Sequence, residues 1–237
     1  MDNENSPCSI KYAVLSGNTL KIIAMLSMLL DHVGLYLFPD KLAFRAIGRI
    51  AFPIFAYMIA EGCKYTRSRT KHLCGIALFA LGVQIVYFVA TGSYYHSILV
   101  TFTLAIALIY ALDNLVKERS VPSLLIALAV FSAAVFMTLL VPLIFKNNDF
   151  RLDYGAAGVF LPTAVYFAPD KKSKLLCTLG IMTLKAAFEV PLQFFSLLSL
   201  PLLTLYSGKR GKYKLKYMFY IFYPLHIVLI ILIGFLI

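Results

Sequence analysis

Residues 21–62, KIIAMLSMLLDHVGLYLFPDKLAFRAIGRIAFPIFAYMIAEG, decide the fold. Two apolar runs flank the turn signal Phe38-Pro39-Asp40. Each run approaches the length a bilayer-crossing helix needs, about 20 mostly apolar residues. Yet Asp31, His32, Arg45 and Arg49 stand inside them. Ionisable groups are costly in lipid, so a membrane helix that keeps them points to a functional site.

The rest of the chain repeats the apolar pattern. Of the 237 residues, 61% are hydrophobic and 14% charged, where a soluble domain carries about 25% charged residues. Mean hydropathy is +0.84. The apolar residues come in long runs without period-2 alternation, which excludes a β-barrel and leaves helices, whose backbone satisfies itself in lipid. Spans are expected at 20–38, 42–62, 73–90, 97–113, 122–145, 155–168, 175–189, 190–206 and 217–236. The predicted fold is an all-α, polytopic transmembrane bundle of about nine helices. Residues 1–19 are expected as a short cytoplasmic segment and 20–237 as a single integral membrane domain. Internal repeats, low-complexity tracts and long linkers are absent from the sequence.

The net charge is +11. Its placement speaks for topology and against nucleic acid. Lys64, Arg67, Arg69 and Lys71, then Lys117 and Arg119, then Lys171, Lys172 and Lys174, then Lys209, Arg210, Lys212, Lys214 and Lys216 all fall on one side if the spans alternate. The other side has mainly Lys41, Lys146 and Arg151. By the positive-inside rule the N-terminus is cytoplasmic. The polar N-terminus does not read as a secretory signal. Cys8, Cys63, Cys74 and Cys177 have no metal-ligand spacing, and three of them fall near cytoplasmic halves, so neither metal nor disulfides are expected. No P-loop, GxSxG or glycine-rich nucleotide motif is present.

Helical phase sorts the polar residues. Lys21 and His32 share a stripe with Met25 and Met28, about 16 Å apart along the axis. Asp31 points about a quarter-turn away, within reach of a neighbouring helix or of a polar group lining the bundle. Arg45 and Arg49, at i and i+4, share a face of the second helix. His32, Arg45 and Arg49 come to similar depth in the outer half of the membrane, with Pro53 expected to kink the second helix below them. Gly48 and Gly62 are positions where a neighbour can approach closely. Arg151, Asp153 and Tyr154 start the sixth span, and His226 sits in the last one after Tyr223-Pro224.

Each group has a bland reading. Arg45 or Arg49 could pair with Asp31 or Asp153 to lock helices, and His226 could be a hydrogen-bonded core histidine. Four charged or titratable groups in one layer add little to a purely structural bundle, because polar contacts in membranes are worth about 0.6 kcal/mol on average. A layer that lines a hydrated cavity explains them better. His32 can take a proton from an amine or hydroxyl. A carboxylate such as Asp31 can orient the ring. The arginines can stabilise an oxyanion or phosphate. No serine or cysteine pairs obviously with His32, so direct transfer with His32 as general base is simpler than a covalent intermediate.

The stretches LKIIAMLSMLLDHVGLYLFP, FRAIGRIAFPIFAYMIAEGCKYTRSRTKH, LDYGAAGVFLPTAVYF and YSGKRGKYKLKYMFYIFYPLHIVLI resemble the TraX family of membrane proteins over nearly the whole chain. The resemblance implies an acetyltransferase that draws on cytosolic acetyl-CoA, related to the type-3 membrane acyltransferases and free of metal. Those carry an arginine and a histidine on the first helix at similar spacing, and here Lys21 replaces the arginine. The founding members acetylate the N-terminal amine of pilin subunits. On that resemblance the catalytic residues are His32, Asp31, Arg49 and Arg45. Lys21, Lys64 and Arg67, with Glu61, mark the cytoplasmic mouth for CoA, and Asp153, Tyr154 and His226 shape the acceptor side. The partners implied are acetyl-CoA, an amine or hydroxyl acceptor such as a peptide N-terminus or glycan, and the lipid of a bacterial cytoplasmic membrane. The competing readings are a proton-coupled transporter or flippase, and a structural subunit of a pilus or secretion assembly.

Overall fold

The structure, a computed structural model, describes residues 14–145, 149–212 and 216–234. Lys146, Lys214 and Cys8 lie outside them. Among the described residues the chain is helical throughout, and two isolated parallel bridges, Leu15 to Tyr206 and His96 to Leu152, tie loops together. Helices α1 (Gly17–Tyr36), α2 (Leu42–Gly48), α3 (Ala51–Tyr65), α4 (Arg69–Thr91), α5 (Ile98–Glu118) and α6 (Val121–Val135) come first. A π turn (Phe136–Leu140) leads into α7 (Val141–Ile144). Then follow α8 (Gly155–Phe167), α9 (Lys171–Phe188), a 3-10 stretch (Pro191–Leu198) running into α10 (Ser199–Thr204), and α11 (Lys216–Gly234). Counting joined segments together, nine helical stretches among the described residues match the nine apolar runs of the sequence.

Local chemistry sets the boundaries. Ser16, Ser68, Ser120 and Asp170 each cap a helix by accepting a backbone N–H from the first turn. Gly92 ends α4 in the left-handed conformation at φ 65°. The expected kink at Pro53 lies higher than anticipated. The proline ring obstructs the carbonyl four residues back, which belongs to Arg49, so the helix breaks at Arg49-Ile50 and Pro53 sits in the first turn of α3. Pro142 acts similarly further on. The turn before it widens to a π turn, and the Thr138 hydroxyl donates to the Ala134 carbonyl at 2.7 Å.

Among the described residues five stretches are long and apolar enough to cross a membrane: Gly17–Tyr36, Leu42–Tyr65, Arg69–Val89, Ile98–Glu118 and Val121–Ile144. The sequence predicts nine spans, and the later ones fall short. Helix α8 has 13 residues, a rise of about 20 Å against a hydrocarbon core of about 30 Å. Helix α9 begins Lys-Lys-Ser-Lys and keeps Lys185. The long α4 and α6 leave Leu78, Leu81, Ile85, Val86, Leu125, Ile126 and Leu128 exposed. Helices apolar on their outward faces are helices solvated by lipid, so the chain is a membrane protein.

The chain divides into two compact units, Met1–Ile54 with Leu198–Ile237, and Phe55–Leu197. In the first, α1 packs against α2 and α11. Gly34 and Gly48 permit that closeness. A Cβ on Gly34 would meet Phe44 Cβ at 2.5 Å, and one on Gly48 would meet Asp31 Cβ and Oδ1 at 2.3 Å. Gly62, expected to serve the same purpose, faces open space. In the second unit α5 is central, against α4, α6 and α8, and α8 packs on α9. Its core joins Cys63, Ile76, Ile106 and Ile109 in one cluster and Ala105, Leu108, Ala134 and Val159 in another.

Candidate functional site

The first unit gathers Asp31, His32, Arg45, Arg49 and His226. Asp31 and His32 are consecutive on α1, so they point in directions about 100° apart. Asp31 turns toward α2. Its carboxylate accepts from Arg45 Nη1 at 2.9 Å and from Arg49 Nη2 at 2.5 Å to each oxygen. Arg45 Nη1 also donates to the Asp31 backbone carbonyl at 3.3 Å, and Arg49 Nε to the Arg45 carbonyl at 3.4 Å. The side chains are 15%, 22% and 11% exposed for Asp31, Arg45 and Arg49. One carboxylate between two guanidiniums leaves the cluster a net positive charge. Arg45 Nε and Nη2 carry no hydrogen bond among the described residues, so donors remain for an anion.

His32 turns the other way. Its Nδ1 lies 2.9 Å from the Met28 carbonyl, which can only accept, so Nδ1 carries the proton. In the neutral ring the remaining nitrogen, Nε2, carries the lone pair. This corrects the role expected of Asp31: the carbonyl one turn back fixes the His32 ring, and the Asp31 carboxylate is occupied by arginine. His226 repeats the device. Its Nδ1 donates to the Phe222 carbonyl at 2.8 Å, and its Nε2 stands 3.4 Å from His32 Nδ1. The two rings meet edge-on with centroids 4.9 Å apart, and His226 is 3% exposed. Tyr36 and Phe222 stack on His32 and His226 respectively. Lys21, about three turns before His32, sits over the Phe219 ring of α11 at 5.6 Å.

The other expected residues belong to the second unit. Glu61 is 8% exposed and bonded to Lys174 Nζ at 2.5 Å, with that ammonium over the Tyr57 ring. It is thus half of a buried ion pair between α3 and α9. Lys64 and Arg67 are exposed. Asp153 accepts from Tyr95 Oη at 2.6 Å, and its carbonyl takes the Thr101 hydroxyl at 3.0 Å. The Asp153 charge and burial together raise the Tyr95 phenol well above its usual range, burial contributing most. Tyr154, left-handed at φ 57°, precedes α8 and lies under the Lys185 ammonium.

Sequence reasoning passed over Lys174 as a topology charge. The signal was its spacing. Residues 174, 178, 182 and 185–186 are all buried and recur with helical period, so Lys174 belongs to the inward face of α9. It also missed the polar knot of Arg69, Asp113 and Lys117, and the contact of His72 Nδ1 with Tyr110 Oη at 2.6 Å.

Residues 16–234 match the model of the family described as TraX protein. A probable fimbrial assembly protein FimC, serogroup H1, from Dichelobacter nodosus is 27% identical over 89% of this chain and 92% of its own length. An uncharacterized protein from Rickettsia prowazekii (strain Madrid E) is 40% identical over a shorter stretch, 22% of this chain and 21% of its own. No solved structure matches. With a match that runs from the cap of α1 to the end of α11, the chain belongs to the TraX family.

Proposed function

We propose that the protein is a membrane-embedded acyltransferase that moves an acetyl group from acetyl-CoA to an amine or hydroxyl acceptor. The observation that carries the reading is the orientation of His32. Its Nδ1 proton is committed to the Met28 carbonyl, which leaves Nε2 as a base on the residue that follows Asp31, whose carboxylate holds the two arginines.

The residues present suit a CoA thioester. The donors remaining on Arg45 can meet a carbonyl oxygen that gains negative charge. Acetyl-CoA would supply an activated acyl group on a good leaving thiolate. His32 Nε2 takes the proton of the attacking amine or hydroxyl and returns it to the departing sulfur, so the base is regenerated. Arg45 donates to the oxygen as charge builds, with Asp31 holding the guanidinium in place. Arg49 anchors Asp31 from the other side. His226 walls the His32 ring and limits its rotation. Asp153 and Tyr154 are proposed for the acceptor, and the exposed Lys64 and Arg67 for the donor, on the family resemblance alone; all four belong to the second unit. Glu61, engaged by Lys174, acts in this scheme by holding α3 and α9 together.

The proposed setting is a bacterial cytoplasmic membrane with the N-terminus inside, supported by the cation-rich segment after α3 and by Lys117 and Arg119 after α5. A peptide amine is favoured as acceptor by the fimbrial assembly name of the Dichelobacter relative. A transporter reading retains one support, the ionisable layer within apolar helices. The deciding experiment follows labelled acetyl transfer from acetyl-CoA by purified protein. His32→Ala should lose general-base catalysis, a factor of about 100 to 10,000. Full transfer by His32→Ala would remove the assignment, and proton-coupled uptake into liposomes without any transfer would favour the transporter.

A further inference from the structure

The loop after α10 is fastened to the start of α1. Leu15 N–H donates to the Leu205 carbonyl at 2.9 Å, and Ser207 N–H and Oγ both donate to the Leu15 carbonyl at 2.9 Å. Gly17 N–H donates to the Lys209 carbonyl at 2.8 Å and Asn18 N–H to the Arg210 carbonyl at 2.9 Å. Gly211 closes the clamp. A Cβ there would meet Ser16 Oγ at 2.8 Å, and its φ of 99° is one that side chains resist. These bonds consume the first N–H groups of α1, so the helix terminus offers little to an anion. What they do instead is hold the backbone of two cationic residues beside the first turn of α1. Lys209 and Arg210 are exposed on the loop, and the Arg210 carbonyl is bonded to Asn18, three residues before Lys21 on the same turn of α1.

Among the described residues of this unit the carboxylates are Asp31 and Asp40. Asp31 is bonded to Arg45 and Arg49, and it stands about 15 Å along the helix from Lys21 by its rise per residue. A half-buried ammonium and two exposed cationic residues whose backbone is clamped beside α1, with no free carboxylate near them among the described residues of this unit, are a recognition pattern for an external anion with several oxygens.

We infer that Lys21, Lys209 and Arg210 form a binding site for a phosphate or diphosphate group. With the acyltransferase reading above, on which this identification of the carrier rests, the group is the diphosphate of CoA. The exposed Lys209 and Arg210 hold it at the end of α1 opposite His32, and Lys21 bridges inward from them. An anionic lipid headgroup carries the same chemistry.

The test uses the full chain in nanodiscs and measures binding of CoA, pyrophosphate and pantetheine. Lys209→Gln and Arg210→Gln keep the backbone carbonyls that close the clamp, so both should fold as the parent does. Each should weaken CoA and pyrophosphate about tenfold, the size of one charge-assisted hydrogen bond, and leave pantetheine unchanged. Equal CoA affinity in parent and variants, with acetyl transfer intact, overturns the site and spares the acyltransferase reading. Pyrophosphate binding that depends on Arg210, with no CoA preference and no transfer, keeps the site and overturns that reading. Thermal stabilisation by anionic-lipid nanodiscs that Arg210→Gln abolishes, with neither soluble ligand bound, assigns the phosphate to lipid and overturns the CoA identification. Absence of all three effects overturns the site.

Discussion

Gly48→Ala should dismantle the ionic layer without removing a charge. The added methyl would stand 2.3 Å from both Asp31 Cβ and Oδ1, and 2.6 Å from Cγ. Ordinary contact between such atoms is about 3.5 Å or more. Asp31 or α2 must therefore move by about 1.2 Å. A shift of that size takes the 2.5 Å bonds from Arg49 Nη2 beyond hydrogen-bond range. Overpacking of this kind costs about 1–3 kcal/mol. The rigid neighbours, a carboxylate held by two arginines, place the effect in the upper half of that range. At 1.4 kcal/mol per tenfold, about 2–3 kcal/mol corresponds to a loss of roughly 30- to 150-fold in the folded-to-unfolded ratio. Gly62→Ala is the control, because its Cβ meets open space in the same region of sequence. It should be neutral or stabilising by up to about 1 kcal/mol, since alanine outranks glycine in helices. Unfolding of the detergent-purified variants with denaturant, read beside acetyl transfer, checks both. If Gly48→Ala matches the parent in stability and transfer while Gly62→Ala behaves as expected, the tight α1–α2 packing described here is wrong.

Asp31→Asn leaves two guanidiniums facing each other in a half-buried layer. It should destabilise the protein by about 3 kcal/mol, the lower end of the cost of breaking a buried pair because these side chains retain some exposure, and equilibrium unfolding reads the loss. Glu61→Gln orphans Lys174 and should cost about 3–5 kcal/mol, whereas the double change Glu61→Gln with Lys174→Met should recover most of it; a double-mutant cycle in unfolding free energy measures the recovery. His96, in the loop before α5, is held below the usual histidine range by burial. Its folded form favours the neutral ring, so the unfolded chain binds the extra proton as pH falls below about 6.5, and stability declines there. His96→Gln should flatten that part of the stability–pH curve, and an unaltered curve would show that His96 does not titrate with unfolding.

The helical architecture was legible because lipid leaves the backbone few choices. Apolar run length and turn residues gave the nine stretches, and the serine and aspartate caps lie where the runs begin. The number of crossings was less legible. Run length alone cannot register that α8 ends after 13 residues or that α9 is charged on its buried face. Helical phase correctly separated Asp31 from His32 and paired Arg45 with Arg49. It could not say which neighbour each face meets, since that depends on how α2 and α11 are rotated against α1. For that reason the support of His32 went to Asp31 in the sequence and to the Met28 carbonyl in the structure. The break at Arg49-Ile50 was legible in kind but displaced, because the obstruction by Pro53 acts on the carbonyl four residues earlier.

The two halves of the layer divide the labour that a single triad usually combines. A triad couples base and carboxylate, so the carboxylate stabilises the protonated ring. Here the carboxylate is coupled to the arginines, and the ring is oriented by a neutral carbonyl. A carbonyl fixes the tautomer and stabilises the imidazolium less than a charge does. In the proposed transfer His32 therefore carries the proton only until the leaving group departs. Asp31, for its part, keeps Arg45 and Arg49 from repelling each other in a medium where like charges at close range are costly. In the proposed transfer their net positive charge meets an oxygen that becomes anionic only during reaction, which is where an electrostatic contact lowers a barrier and does not merely tighten binding. By this logic Arg45→Lys keeps charge but loses the planar donors that remain beside its bond to Asp31. It should lower kcat more than it raises KM. A pure KM effect would place Arg45 in substrate binding and away from the developing charge.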